Sequence, residues 1–523
     1  MELLKKNKYT ILVGLVVILA AFLRLYRIAD YMTFLGDEGR DVLVVYNILH
    51  GHLTLLGPTA SVGGFFLGPI YYYFMTPFLW AFNYNPVGPA VMIALFGIAT
   101  VWLVYFVGNT FFGPKAGLIA SFLYTISPLI IAYSRSSWNP NPMPFFVLAL
   151  LYFLYKGLQE KNWKYILFSG IFLGIAMQLH YLATFVGVIV AVYILVASLY
   201  DMFPKKVSII KVIYSSLATY LLYAAGFILG WLPFLTFEFR HGFQNIKSII
   251  NFILHSKQTG AGEQMQTIIG NVSFRIFGRL VTNFPPPENV NLHTHLDLAT
   301  WYYGTIVLAI LSVGLIAYIF LKNLKDRKKF LQYSLLLLWL GIGIYLFGFY
   351  KKQIYDYYFS FLFPLPFLLV GSFLAWTMSK TLLIKICGIA ILLFLFVINI
   401  QGIPFRYEPN RQLDQVRKIA QVVYDQAGKK PFNFALITGG NSDHAYRYFL
   451  TIWGNPPVTI ENAIVDPKRT TVTNQLLVVC EELPCHPEGA SLWEVAGFGR
   501  AQIVGHWNVS VVEVYKLQHY TGK

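Results

Sequence analysis

The chain has 523 residues, 56% of them hydrophobic and only 12% charged, with a net charge of +16. A soluble protein carries about 25% charge, and many runs here approach or exceed the ~18 apolar residues that mark a membrane span; a soluble globular class is excluded, and a polytopic α-helical membrane protein remains. The cations gather in short loops between apolar segments, the pattern of cytoplasmic loops rather than of nucleic-acid binding, and three cysteines are too few for a disulfide framework.

The first apolar segment, 9–28, follows Lys5, Lys6 and Lys8, charges that hold the N-terminus in the cytoplasm. It is long and lacks a small-residue cleavage site, so it reads as a retained span rather than a signal peptide. A first outer loop, 29–85, opens with Phe34-Leu-Gly-Asp-Glu-Gly-Arg-Asp41. Within it, 40–50 and 70–82 read as helices lying in the membrane interface, joined through Gly57-Pro58 and a flexible 61–64. Ten further spans are expected at 86–108, 114–133, 142–156, 164–179, 182–200, 211–233, 300–321, 331–349, 358–378 and 383–400. Together these make about eleven transmembrane helices, which puts the C-terminus outside. Loop charge agrees: Lys115; Lys156, Lys161 and Lys164; Lys205, Lys206 and Lys211; Lys322, Lys325, Arg327, Lys328 and Lys329; and Lys380 and Lys385 all fall on the inner side. Two Gly-x-x-x-Gly pairs, Gly170/Gly174 and Gly226/Gly230, permit close helix approach. A second outer loop, 234–299, has helical patterning at 243–255 and a glycine-rich break at 260–262.

Near residue 402 the composition turns soluble. The chain divides into a transmembrane domain, 1–401, and a small extracytoplasmic α/β domain, 402–523. In the latter, 411–428 and 443–453 read as helices and 432–438, 475–481 and 501–517 as strands, with a hairpin turn at Trp507-Asn508. Cys480 and Cys485 could pair there or stay reduced; Cys387 lies in a span.

Asp37 and Glu38 are the sharpest chemical signal, an acidic pair just beyond the first span in an acid-poor chain. An acceptor hydroxyl or amine attacking a sugar carbon needs a base for its proton, and a neighbouring acid orients that base or shifts its pKa. The bland alternative is a solvated loop pair, with Asp41 capping the following helix.

Leu35-Gly-Asp-Glu38 after the first span, then Gly68-Pro-Ile-Tyr-Tyr-Tyr73, Phe112-Gly-Pro-Lys-Ala-Gly117 and Ser127-Pro-Leu-Ile-Ile-Ala-Tyr-Ser-Arg135, in that order, resemble the lipid-dependent glycosyltransferases of the GT-C superfamily. These include the protein O-mannosyltransferases and the aminoarabinose transferase that modifies lipid A. The resemblance covers roughly residues 1–400 and is strongest over 1–182. It implies a plasma (inner) membrane enzyme that takes a sugar from a polyprenyl-phosphate carrier. The sugar passes with inversion, on the extracytoplasmic side, to an acceptor the sequence does not name: protein, lipid or envelope glycan. Asp37 matches the family's acidic residue, and Glu38 completes its pair. Several relatives carry a second Asp in the outer loop after the third span. Here that loop reads Ser134-Arg-Ser-Ser-Trp-Asn-Pro-Asn141, and Asn139, a poor metal ligand suited to sugar hydroxyls, stands in its place. No cofactor is clearly indicated, and a divalent metal is doubtful.

Donor contacts are expected from Arg135, whose guanidinium suits phosphate, and from Lys351, Lys352, Tyr355 and Tyr358, where cations sit against the positive-inside trend. His180 ends a span at the same face. Snorkelling to headgroups, or an interfacial aromatic belt, is the plainer reading of each. His293-Thr-His295 with Asp297 has metal-like composition but no clear third ligand. Two other classes compete with the enzyme: a transporter or flippase of lipid-linked sugar, which would carry ionisable groups at mid-membrane, and a non-catalytic scaffold.

Overall fold

The computed structural model describes residues 8–61, 63–202, 208–255, 260, 264–292 and 294–522, the side chains of 209 and 211 excepted. The expectations placed on Lys5, Lys6, Lys205, Lys206, the Lys211 side chain, Ala261, Gly262 and His293 fall outside these residues.

Every segment expected to span is helical. Among the described residues, seven helices are long and apolar enough to cross a membrane unaided: Lys8–Leu25, Val87–Phe112, Ala183–Met202, Val212–Arg240, Leu296–Lys322, Arg327–Phe349 and Leu382–Gln401; the bent pair Asp356–Leu362 and Pro364–Thr377 makes an eighth. The other expected spans are shorter or less apolar: Pro114–Ile126 with Pro128–Tyr133, Met143–Glu160 and Trp163–Leu179. Two expected spans are interrupted. The first breaks at Ser127, before Pro128, and the second bends by 61° at Phe363, before Pro364. Proline disfavours helical geometry in the residue before it, and Ser127 is accordingly extended, with φ −63° and ψ 119°; Phe363 keeps helical angles, φ −50° and ψ −44°, and the bend there falls where a 3-10 turn gives way to the helix that Pro364 opens.

The two glycine pairs are each other's partners. Helix α1 (Trp163–Leu179) lies against helix α2 (Ile209–Arg240). A Cβ on Gly170 would fall 2.2 Å from the Tyr223 carbonyl oxygen, and one on Gly226 2.2 Å from that of Leu167. Only glycine allows this approach, which dispersion and close backbone packing favour in an apolar solvent. Gln178 locks the pair, donating to the Gly230 carbonyl at 2.7 Å.

The first outer loop holds helices over Gly36–Leu49 and Ile70–Ala81, the latter with Pro77 inside it. The first starts four residues before its expected position, so Asp37 and Glu38 occupy its opening turn rather than a loop. Glu38 accounts for this: its carboxylate accepts the Leu35 N–H at 3.0 Å, closing the helix N-terminus, where acidic side chains also meet the positive end of the helix dipole. Asp41 is no cap; it is fully buried one turn further on.

After Gln401 the chain forms a four-stranded sheet in the order β1-β2-β4-β3, with β1 Asn433–Ile437, β2 Gln475–Cys480, β3 Ala501–Val509 and β4 Val512–His519. Strands β1 and β2 are parallel and the other pairings antiparallel. Helices Gln412–Ala427 and His444–Ile452 form as expected. The hairpin turn does not: Trp507 pairs with Val514 inside the ladder, and the turn falls at Ser510, whose φ is 56°. The half-buried Trp507 packs against the core, which extends the strand past the position that local turn propensity suggests. Cys480 and Cys485 are joined, and Cys387 is free.

Candidate active site

The opening turn of the Gly36–Leu49 helix is clamped from two directions. Three successive backbone amides are each met by a side chain: Phe34 N–H by Gln412 Oε1 at 3.2 Å, Leu35 N–H by Glu38, and Gly36 N–H by Asn441 Oδ1 at 2.9 Å. Two of these partners lie about 400 residues away in the C-terminal sheet domain. Gly36 and Gly39, three apart, share the helix face turned to that domain. A Cβ on Gly36 would fall 2.1 Å from Ser442 Oγ, and one on Gly39 2.2 Å from the Ala445 backbone nitrogen. Phe34 is buried against Tyr448 and Phe449, 6.4 and 5.8 Å between ring centroids.

The neighbouring acids meet opposite fates. Glu38 is buried, and burial pushes its pKa up to about 7, against the pull of the N–H groups it accepts. The Asp37 side chain is 56% exposed and takes one hydrogen bond, from Arg40 Nη1 at 2.9 Å. Arg40 also donates from Nε and Nη2 to Asp41, at 2.9 and 2.8 Å. Burial lifts the Asp41 pKa to about 6, with the Arg40 guanidinium opposing the shift.

Asp37 stands on the wall between two cavities. The larger, about 810 Å³, lies between the first loop, the 132–141 loop and the sheet domain; Ser136, Asn141, Gln415 and Glu481 line it. The smaller, about 150 Å³, is lined by Arg40, Ser61, Asn139, His180, Tyr181 and Tyr357. Asp37 and Trp138 belong to both.

The structure thus brings Asn139 and His180 to Asp37. The Asn139 amide donates to the Leu179 carbonyl at 2.6 Å, which ties the wall to the end of α1. Burial holds the His180 imidazole neutral, its pKa down to about 3. Arg135 is not brought there. It is buried, donates to the Leu23 and Tyr26 carbonyls at 2.9 and 2.8 Å, and lies over the Phe405 ring. It thus caps the first helix and lines neither cavity. Lys351 and Lys352 are exposed and line neither cavity. Tyr355 is exposed and donates to Gln353. Tyr358 is buried beside the small cavity, its hydroxyl 3.4 Å from those of Ser61 and Tyr350.

Over residues 67–227 the chain matches the family model described as dolichyl-phosphate-mannose-protein mannosyltransferase. No curated protein matches it in sequence. Among solved structures it is similar to ArnT from Cupriavidus metallidurans bound to undecaprenyl phosphate, with a TM-score of 0.61, 12% identity and 98% of each chain covered. It is similar also to the archaeal oligosaccharyltransferase AglB from Archaeoglobus fulgidus in complex with an inhibitory peptide and a dolichol-phosphate; there the TM-score is 0.53 at 14% identity, over 91% of this chain and 70% of that one. The chain has the fold of ArnT and AglB. At these identities the likeness is one of architecture, and it bears out the fold expected from the ordered motifs.

Three features of this site lie outside the residues that the sequence singles out. Glu481, which accepts from Thr438, Asn441 and Tyr446, lies in the sheet domain and carries no local signature. Trp138 sits beside Asn139 in a loop already singled out, and its aromatic face was the available signal. Arg275 and Arg279 both bond Asp356, at 2.5 and 3.0 Å. They sit four residues apart in and just after the helix Met265–Gly278, a spacing that places both on one side.

Proposed function

We propose that the chain is an integral membrane glycosyltransferase that moves a sugar from a polyprenyl-phosphate carrier to an extracytoplasmic acceptor, with Asp37 as general base. The carrying observation is the position of Asp37: an accessible carboxylate on the wall shared by two cavities, in a fold that in ArnT and AglB holds undecaprenyl phosphate and dolichol-phosphate. An inverting displacement needs acceptor and leaving group on opposite faces of the sugar carbon. The base must stand on the acceptor's side of that carbon, within hydrogen-bond reach of the attacking oxygen.

The step balances without nucleotide or metal. The acceptor O–H proton passes to the Asp37 carboxylate, the acceptor oxygen bonds to the sugar carbon, and the bond from that carbon to the carrier's phosphate oxygen breaks with its electron pair. Arg40 orients the Asp37 carboxylate through the hydrogen bond from its Nη1. Glu38 secures the helix on which Asp37 is carried, a positioning role. Tyr358, Lys351, Lys352 and Tyr355 lie along the stretch proposed to face the carrier. Arg275 and Arg279, anchored on Asp356, bring two further cations to it. The proposed orientation puts the N-terminus in the cytoplasm and the sheet domain outside the plasma membrane. The Cys480–Cys485 disulfide, a linkage of oxidising compartments, supports that side.

Asp37→Asn tests the reading. With carrier-linked sugar extracted from expressing cells, the variant should lose roughly a hundred- to ten-thousand-fold of transfer rate while its affinity for polyprenyl phosphate and its melting temperature stay unchanged. Wild-type rates in the variant would sink the assignment.

A further inference from the structure

The two cavities that meet at Asp37 differ in charge. Three acids line the larger, Asp37, Glu38 and Glu481, with burial favouring the neutral form of Glu38; no Lys, Arg or His is among the described residues around it. The smaller holds Arg40, tied to Asp37 from that side. The remaining polar lining of the larger is neutral: hydroxyls such as Ser136, amides such as Asn141, Gln412 and Gln415, and the Trp138 indole.

We propose that the larger cavity is the acceptor chamber and that it selects an uncharged or cationic hydroxyl-bearing acceptor, such as a neutral carbohydrate, against an anionic one. This rests on the glycosyltransferase reading above. The leaving phosphate is anionic and belongs on the side with Arg40; in-line geometry then sends the acceptor to the carboxylate side. A phosphorylated acceptor would meet like charge on two walls, one from the first loop and one from the sheet domain, and like charges brought together in a partly desolvated site reject a ligand strongly. A neutral sugar instead finds amide and hydroxyl partners and an aromatic face. The C-terminal domain is thereby a specificity element: Gln412, Gln415, Asn441 and Glu481 all come from it.

The test uses the full-length protein in lipid nanodiscs and three probes, methyl α-D-glucopyranoside, its 6-phosphate and its 6-amino-6-deoxy analogue, with affinities from ligand-observed NMR. The neutral and amino probes should bind at least about tenfold more tightly than the phosphate. Gln415→Lys should bring the phosphate probe to within about threefold of the neutral one, and Gln415→Glu should leave it excluded. Should Gln415→Lys not fold, Val511→Lys places the cation on the same chamber from a residue 65% exposed. Equal affinity for the phosphate probe, no binding by any probe, or a ratio unmoved by the added lysine overturns the proposal. Sugar transfer from extracted carrier is read separately. If transfer fails while the affinity ratio holds, the glycosyltransferase reading falls and the charge preference of the chamber stands.

Discussion

Asp37 and Glu38 are adjacent in sequence, yet one is exposed and the other buried. Glu38 has a pKa of about 7 against an ordinary 4.5, and Asp41 one of about 6 against 3.8. For each acid the folded value is the higher one, so the fold favours the protonated form. The stabilisation is fully present below the ordinary value and is lost as pH rises through the folded one. Thermal stability should therefore decline between about pH 4 and pH 7 on account of this helix. Glu38→Gln keeps an acceptor for the Leu35 N–H and removes one titration. Its melting temperature, followed by thermal unfolding in detergent, should fall less steeply from pH 5 to pH 7 than that of the wild type, with a residual slope from Asp41. A slope equal to the wild type's would show that Glu38 is ionised in the fold. The acidic pair itself was legible from position and composition. Which member is buried was not, because the residues that cover the helix, Asn441 to Ala445, lie 400 positions downstream. Arg135 teaches the same point from the other side. Its place at an outer loop suggested a phosphate clamp, but the free carbonyls at the end of the first helix, Leu23 and Tyr26, leave no trace in the sequence.

At the scale of elements, periodicity and punctuation carried most of the information. Apolar runs located the helices, and Ser127-Pro128 and Phe363-Pro364 broke two of them. The Gly-x-x-x-Gly pairs announced close approach but not that α1 and α2 would supply both halves of one contact. That contact reaches the site. Leu179, at the end of α1, accepts from Asn139 in the wall of the small cavity, and Gln178 bridges Gly230 to the Ile70 N–H that opens the second loop helix. A methyl group at Gly226 would fall 2.2 Å from backbone that cannot rotate aside. Gly226→Ala should thus cost about 1–3 kcal/mol of stability and lower transfer activity, since α1 must shift. Gly14→Ala is the matched control: it also sits in a transmembrane helix, but a Cβ there meets nothing within 4 Å. Equal melting temperatures for the two variants would remove the helix pair from the account of how the wall is held.

At the scale of the whole molecule, the expected division into a membrane bundle and a polar α/β tail is informative about class but silent about the site, because half the wall of the larger cavity belongs to each. The Gly36–Leu49 helix faces the sheet domain, so Asp37 and that domain must lie on one side of the membrane. That arrangement needs an even number of crossings between them, as the eleven-span reading gives, and under it Lys115, Lys156, Lys164, Lys322 and Lys325 all fall on the opposite side. Length and apolarity single out seven or eight spans among the described residues, so loop charge supplies the rest of the argument, and labelling can decide it. Lys468 in the sheet domain and Lys325 in the turn before the Arg327–Tyr345 helix are both exposed. With Cys387 replaced by serine, Lys468→Cys should react with a membrane-impermeant maleimide in intact cells, whereas Lys325→Cys should react only after permeabilisation. If both label from one side, an odd number of crossings between them is wrong. If the pattern is reversed, Asp37 opens to the cytoplasm, and a carrier-linked sugar presented outside the cell could not reach it.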